Sequence, residues 1–382
     1  MKALFVSNDP TIFDATSSAR ARMRTYAAAI GELHIVSAAG LGVREEQDGN
    51  LCLYPVHAWK LFRVHALARK AREIIIANDI QIVSAQDPFE HGLAALRAVH
   101  GTNVKLHIQV HTDFLSPWFV RSGNWRSPSV RMPFLNRYRR RIADEVLPKA
   151  AGIRSVSERV KRSLIERYGS CIPEPSVIPV PVDSIVPEPV RLPSHPAFTF
   201  ALITVGRLEP EKRVEDILAA LALVIPHYPM VGLFVVGEGS ERRKLERMTH
   251  SLGLTTHVIF IKNWLPTNEA RGLMASAHAF VQASAYEGYS RTLIEAALAR
   301  VPIITTDVGI VGEVLVGYED VLSVPVADPT ALSLSIVGFI EDNAVRQGLP
   351  PHAEATVRAH LAAVGNIPER VAADLAETVT RT

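Results

Sequence analysis

Cysteine is nearly absent. Cys52 and Cys171 are the only two and stand far apart, which excludes a disulfide framework and leaves no zinc-ligand spacing. Long apolar runs are missing as well. No stretch reaches the roughly 20 apolar residues that span a bilayer, and the apolar run in MKALFVSNDP is too short for a secretory signal. The expected location is therefore cytoplasmic, or peripheral to the inner face of the membrane. An excess of one charge is lacking too: 41 Lys and Arg against 39 Asp and Glu leave a net charge of +2, which makes no electrostatic case for nucleic acid. What remains, 48% hydrophobic and 21% charged residues over 382 positions, is the composition of a soluble enzyme long enough for two separate cores.

The chain is organised around residues 279–309, AFVQASAYEGYSRTLIEAALARVPIITTDVG. This stretch reads as strand, loop, helix and strand, the second strand opened by a proline that stops the helix. Such βαβ units place ligands beyond the carboxyl ends of their strands. The loop there holds Glu287, Gly288, Ser290, Arg291 and Thr292. The helix after it presents free N–H groups that suit a phosphate. Glu287 and Glu295 can accept hydrogen bonds from hydroxyls on either side of that phosphate. Taken alone, the first also reads as a surface loop charge and the second as a solvated helix residue.

The N-terminal half alternates short apolar strands, at 2–7, 33–37, 51–55, 80–84, 104–110 and 151–157, with helices at 19–31, 64–78, 133–148 and 158–168. That pattern predicts a parallel, doubly wound sheet. Polar clusters follow two of the strands: Ser84 to Phe89, with Asp87, and His111 to Phe114. Asp87 precedes a proline and also suits a turn. Residues 183–197 hold four prolines and no periodicity, as a linker does. Beyond it, a strand at 198–205 runs into a loop with Arg207 and Lys212, two cations suited to a diphosphate. A helix at 213–225 follows.

EGYSRTLIE, a Glu-x7-Glu pattern, resembles the donor-site signature of retaining glycosyltransferases of family four (glycosyl transferases group 1). VGRLEPEKRVEDILAAL (205–221), VVGEGSERRKLE (235–246) and HVIFIKNWLP (257–266) stand upstream in that family's order and spacing. The resemblance is strong over the C-terminal half and weak over the N-terminal half. It implies the GT-B fold, two Rossmann-like doubly wound parallel-sheet domains facing a central cleft. Residues 1–185 would form an acceptor-binding domain, 186–197 a Pro-rich linker and 198–345 a donor-binding domain. Residues 346–382 would be helices crossing back to the first domain.

It further implies a sugar transfer from a nucleoside-diphosphate sugar, UDP before GDP, to a hydroxyl acceptor that is a glycan, lipid-linked or small molecule. Polysaccharide or cell-envelope synthesis is the setting. By resemblance the donor is bound by Gly206, Arg207, Lys212, Gly237, Ile261, Lys262, Ser290, Arg291, Thr292, Leu293 and Glu295. Within that set, Glu295 would meet the ribose. His111 and Glu287 would act at the transferred sugar. Ser17, Arg20 and Asp87 are acceptor-side candidates. No metal and no cofactor are expected, and no Asp-x-Asp lies on a suitable loop.

Two departures from the family pattern stand out. DPTIFDATSSARARM replaces the paired glycines of the first loop, with Ser17 and Ser18 in roughly their place. Lys262 stands where glycine is frequent. The altered first loop leaves room for a non-catalytic binding or scaffold protein of the same fold. A sugar-nucleotide epimerase or a phosphorylase is the enzymatic alternative, though no lysine site for pyridoxal phosphate is evident. Residues 114–149 mix Trp118, Phe119, Trp125 and Phe134 with seven arginines. They read either as a helix packed on the N-domain or as a surface for an anionic lipid or lipid-linked acceptor.

Overall fold

Apolar runs without alternation become strands covered on both faces, and helices between them force parallel pairing. The computed structural model describes residues 1–7, 9–121, 131–185, 188–193, 198–261 and 265–381, with residues 121, 131–133 and 267 described by backbone alone. It divides into two units. The first comprises Met1–Leu115, Phe134–Val180 and Asn366–Thr382; the second comprises Ser116–Pro133 and Pro181–Gly365.

In the first unit the elements are β1 (Lys2–Ser7), α1 (Ser18–Ile30), β2 (Glu32–Ala38), β3 (Glu46–Asp48), β4 (Leu51–Val56), α2 (Arg63–Asn78), β5 (Ile82–Ala85), α3 (Glu90–Val99) and β6 (Lys105–Val110). After an excursion through α4 (Pro117–Arg121) come α5 (Arg131–Val146), β7 (Gly152–Ser155), α6 (Glu158–Tyr168) and β8 (Ser176–Val177). Among the described residues the strands form one sheet of order β3-β4-β2-β1-β5-β6-β7-β8. Only the edge strand β3 runs antiparallel. The order reverses at β1, which pairs with β2 on one side and β5 on the other. Loops 86–89 and 111–116 therefore leave the same edge as the first loop. The strand expected over 151–157 is limited to Gly152–Ser155, and α3 lies where no element was anticipated.

The second unit runs β9 (Phe200–Val205), α7 (Val214–Val224), β10 (Val231–Val236), α8 (Arg242–Ser251), β11 (Val258–Ile261), α9 (Thr267–Ala275), β12 (Ala279–Gln282), α10 (Arg291–Leu298), β13 (Ile303–Thr306), β14 (Leu322–Val324), α11 (Pro329–Glu341) and α12 (Asn343–Val364). Its strand order is β11-β10-β9-β12-β13-β14, all parallel. Here the reversal falls between β9 and β12. The core is built from Leu202, Ile217, Leu221, Leu233, Val281 and Ile304, all fully buried. The Pro-rich stretch is not loose where it is described: Val190 N–H bonds the Gly272 carbonyl at 2.9 Å, and buried Arg271 holds the carbonyl of Ile185. Among the described residues no helix is long and apolar enough to cross a membrane.

The last helix, α13 (Ile367–Thr380), belongs to the first unit and packs on α1, β6 and β7. Gly152 permits this approach, since a Cβ there would collide with Thr378. A buried hydrogen bond fixes the helix: His107 Nε2 lies 3.0 Å from Asp374 Oδ2. Burial is the largest influence and opposes the charge on Asp374, but the hydrogen bonds of His107 and Ser176 and the nearby charges of His107 and Arg154 together outweigh it and hold the carboxyl below its ordinary range. Asp374→Ala leaves the imidazole without its acceptor and should cost about 2–4 kcal/mol in urea unfolding. A carboxyl with a lowered folded pKa stabilises above its unfolded value of about 4 and loses that contribution as pH falls through the folded value. Wild type and variant should therefore converge in stability on acidification.

Candidate functional site

The reversal between β9 and β12 sets two loops side by side at the carboxyl edge of the second sheet. One runs from Gly206 to Arg213 after β9, the other from Ala283 to Ser290 after β12. Ala285 N–H bonds the Glu211 carbonyl at 2.7 Å and joins them. Across this junction Lys212 Nζ pairs with Glu287 Oε1, which also accepts the Ser284 hydroxyl at 2.8 Å. Arg207 stands more freely, its side chain 61% exposed, with Glu211 at 3.1 Å. A small recess between the strand ends is lined by Thr204, Gly206, Arg207, Lys212, Gln282 and Ser284.

Gly206 is favoured by its positive φ and Gly237 by close backbone approach. Gly237 has φ of 140°, and a Cβ there would run into the Gly206 carbonyl. The two loops are joined further by Leu208 N–H to the Glu238 carbonyl at 2.8 Å and Glu241 N–H to the Leu208 carbonyl at 2.9 Å.

α10 begins from Ser290 in a left-handed conformation, φ 68°. For a residue with a Cβ this costs about 1–2 kcal/mol. Gln282, the last residue of β12, offsets it: its amide meets the Ser290 hydroxyl at 3.0 Å and its carbonyl accepts the Thr292 hydroxyl at 2.9 Å. The N–H groups of Arg291 and Thr292 are left with no partner among the described residues. Gly309, φ 61°, backs this turn; a Cβ would lie 2.8 Å from the Tyr289 carbonyl and 3.1 Å from Glu287 Cβ. Glu295 is buried, with Arg291 at 3.4 Å, and burial raises its pKa against the opposing pull of Arg291 and Arg271.

The Leu293 side chain is wholly buried and its N–H bonds the Ser290 carbonyl at 3.2 Å. Ile261 ends β11 and is half-buried. Lys262 lies outside the described residues.

In the first unit, Arg20 does not face a ligand. It is fully buried, against Glu46 and Asp48 of the edge strand. Ser17 caps α1, accepting Arg20 N–H at 3.0 Å and donating to the Thr11 carbonyl at 2.7 Å. Asp87 turns into α3, where its carboxylate takes the N–H groups of Phe89 and His91 and the His91 ring. Those bonds outweigh the cost of burial and hold Asp87 below the ordinary carboxylate range. Neighbouring Arg22 has no ion-pair partner among the described residues. Its charge reaches His111.

His111 follows β6 on the carboxyl edge. Its pKa falls to about 3, first through burial, then through the Arg154 guanidinium and Arg22, against the pull of Asp87. The imidazole is thus neutral at any physiological pH.

The aromatic and arginine-rich segment also divides. Phe119 is buried against Tyr286 at 5.4 Å, and Trp118 lies over Arg213 at 5.6 Å, so α4 packs within the second unit rather than on the first. Arg139 pairs with Glu90 at 3.0 Å, and Arg140 donates to the carbonyls of Phe114 and Leu115. Phe134 and Tyr138 remain exposed, with Arg137 over the Phe134 ring. Trp125 and Arg126 lie outside the described residues.

Sequence reasoning missed Gln282 and Ser284 in the second unit. A polar residue closing an otherwise apolar strand, as in AFVQ, was the available signal.

Two parallel-sheet α/β units with this arrangement define the GT-B fold. Sucrose-phosphate synthase from Thermosynechococcus elongatus shares it, with a TM-score of 0.77, 18% identity and 99% and 98% of the two chains covered. So does Anabaena HepE, solved with UDP-glucose, with a TM-score of 0.74, 18% identity and 99% and 100% covered. Residues 195–355 match the family model "Glycosyl transferases group 1", and residues 20–184 match "Glycosyltransferase Family 4". The chain belongs to this group 1 glycosyltransferase family.

Among curated relatives, glycogen synthase from Mycobacterium tuberculosis is 29% identical over 193 residues, 50% of this chain and 46% of the relative. The chain thus spans about half the length of that relative. Phosphatidyl-myo-inositol mannosyltransferase from Mycolicibacterium smegmatis is 25% identical over 300 residues, 77% of this chain and 70% of the relative.

Gln282→Leu should release Ser290 from its left-handed state and withdraw the two free amides. Nucleotide affinity should fall about tenfold, the worth of one or two hydrogen bonds. Ser290→Gly, which keeps the conformation without the strain, should bind as wild type in the same titration.

Proposed function

We propose that this protein transfers a sugar from a nucleoside-diphosphate sugar to a hydroxyl acceptor with retention of anomeric configuration, and that it needs no metal. The observation that carries this reading is the junction of Arg207, Lys212, Glu287 and the free amides of Arg291 and Thr292 at the strand-order reversal of the second unit. A departing nucleoside diphosphate gains negative charge in the transition state. Preorganised cations and N–H groups stabilise it there, often the largest catalytic contribution. Lys212 and Glu287 pair with each other in the free protein. On binding, the lysine turns to the phosphates and the carboxylate accepts sugar hydroxyls. Glu295, desolvated behind the helix start, meets the ribose. The site offers no evident nucleophile for a double displacement, so attack by the acceptor on the departing face is the working mechanism.

A UDP-sugar is the first choice of donor, in line with the UDP-glucose complex of HepE; a GDP-sugar is the second. The acceptor is a glycan, a lipid-linked or a small-molecule hydroxyl, and the loops of the first unit select it. Relatives as different as a glycogen synthase and a phosphatidyl-myo-inositol mannosyltransferase fit that division. The altered first loop supports a second reading, a binding protein without turnover.

Calorimetry with UDP, GDP and ADP, first without metal and then with magnesium, tests the donor site. One nucleotide should bind without metal, and Arg207→Ala should weaken it by at least tenfold, since a charge-assisted hydrogen bond is worth about 1.5–3 kcal/mol. Glu287→Ala should bind nucleotide but lose transfer by orders of magnitude. No binding of any of the three would favour the scaffold reading, and an inverted linkage in the product NMR spectrum would overturn retention.

A further inference from the structure

A line of buried polar side chains crosses the first unit from α13 to His111. Asp374 Oδ2 lies 3.0 Å from His107 Nε2, and His107 Nδ1 lies 2.8 Å from Ser84 Oγ. The Gln109 amide donates to Ser84 Oγ at 3.0 Å. Gln109 Oε1 then lies 2.9 Å from Arg154 Nη1 and 3.1 Å from His111 Nε2. Ser84, His107, Gln109, Arg154 and Asp374 are all buried.

The direction of the hydrogens in this line is not free. A guanidinium only donates. Arg154 is committed on its other sides, with Nε to the Ile178 carbonyl at 2.9 Å and Nη2 to the Pro179 carbonyl at 2.6 Å. The atom of Gln109 facing Arg154 is therefore its carbonyl oxygen, and the amide is left for Ser84. His111 Nε2 shares that same oxygen. An oxygen carrying no hydrogen cannot donate, so Nε2 must carry the proton. A neutral ring has one N–H, which leaves Nδ1 with a bare lone pair. Nδ1 makes no hydrogen bond among the described residues.

We propose that Gln109 and Arg154 are positioning residues that fix His111 as a hydrogen-bond acceptor, so that the ligand group meeting Nδ1 is a hydroxyl that donates a proton to it. A phosphate or carboxylate oxygen is rejected at that atom, because two acceptors would face each other. His111 is likewise unfit to be a general acid, since its one proton is held by Gln109. The low pKa of His111 agrees with this, the Arg154 and Arg22 charges opposing and Asp87 favouring a second proton. The assignment of a substrate hydroxyl rests on the transferase reading. The polarity of the ring rests on hydrogen-bond geometry alone.

Long-range 15N correlation spectra of the histidine-labelled full chain test the polarity without any substrate. His111 is assigned by the signal lost in His111→Gln, or by through-bond correlation in the wild type where that variant does not fold. The expected result is a ring protonated at Nε2 and bare at Nδ1 throughout pH 5.5–8.5 (a range chosen around the ordinary histidine value of about 6.5). A ring protonated at Nδ1, or doubly protonated in that range, overturns the proposal.

Gln109→Leu should shift His111 to a mixture of tautomers, whereas Gln109→Glu, still accepting from Arg154 and His111, should hold the single form. An unchanged tautomer in the leucine variant removes Gln109 from the positioning role. In transfer assays the leucine variant should lose about tenfold or more in kcat/KM, the worth of a misplaced hydrogen bond, and the glutamate variant should recover most of it. Equal loss in both overturns the positioning role. Absence of transfer in the wild type counts against the transferase reading, while the spectra still decide the ring.

Discussion

A parallel sheet whose strand order reverses leaves a gap at one edge, because the loops on either side of the reversal run in opposite directions away from it. The candidate donor site depends on that gap. β9 and β12 are neighbours in the second sheet but distant in sequence, so the loop carrying Arg207 and Lys212 meets the loop carrying Glu287. The glycines at 237 and 309 are there because backbone and side chains approach too closely for a Cβ, and Gly206 because its backbone takes a positive φ. Ser290 adopts an unfavourable backbone conformation at the same edge, and Gln282 is placed to hold it. One or two hydrogen bonds of about 0.5–1.5 kcal/mol each are enough to balance a left-handed residue that costs about 1–2 kcal/mol. The free amides that result are a consequence of that balance rather than of helix formation alone.

The first unit solves a different problem. Its edge also gathers polar residues, but most are committed inward. Asp87 and Ser17 cap helices, and Arg20 lies beneath the edge strand against two carboxylates. Arg154 is buried among carbonyls, and Arg22, whose charge reaches His111, has no ion-pair partner among the described residues. A buried guanidinium is tolerated only when its donors are met, and meeting them dictates the orientation of Gln109. A requirement of folding thus becomes a constraint on what His111 can recognise.

The second unit was the more legible in sequence. Strands such as 258–261 and the helix starting at Arg291 carry apolar runs and a proline stop that leave little choice. Glu287 and Lys212 were identifiable because four motifs stood in order. What escaped was long-range pairing. Nothing local in SARARMR tells Arg20 from Arg22; the distinction arises when the edge strand Glu46–Asp48 folds over one face of α1. The arginine in GIRS was readable as an anomaly, a charge inside an apolar strand. Its partners Gln109, Ile178 and Pro179 lie too far along the chain for spacing to reveal them.

The first unit is assembled from three separate stretches and the second from two. The chain therefore passes from one unit to the other four times, at residues 115–116, 133–134, 180–181 and 365–366. No single cut in the gene yields either unit whole. Truncation after Gly365 would strip α13 and leave His107 without Asp374, while an N-terminal fragment ending in the Pro-rich stretch would lack the same helix. Recombination that moved the first unit intact would have to bring Asn366–Thr382 along with the N-terminal half. For this architecture the unit of inheritance is a discontinuous one, closed by a helix that follows the second unit in the chain.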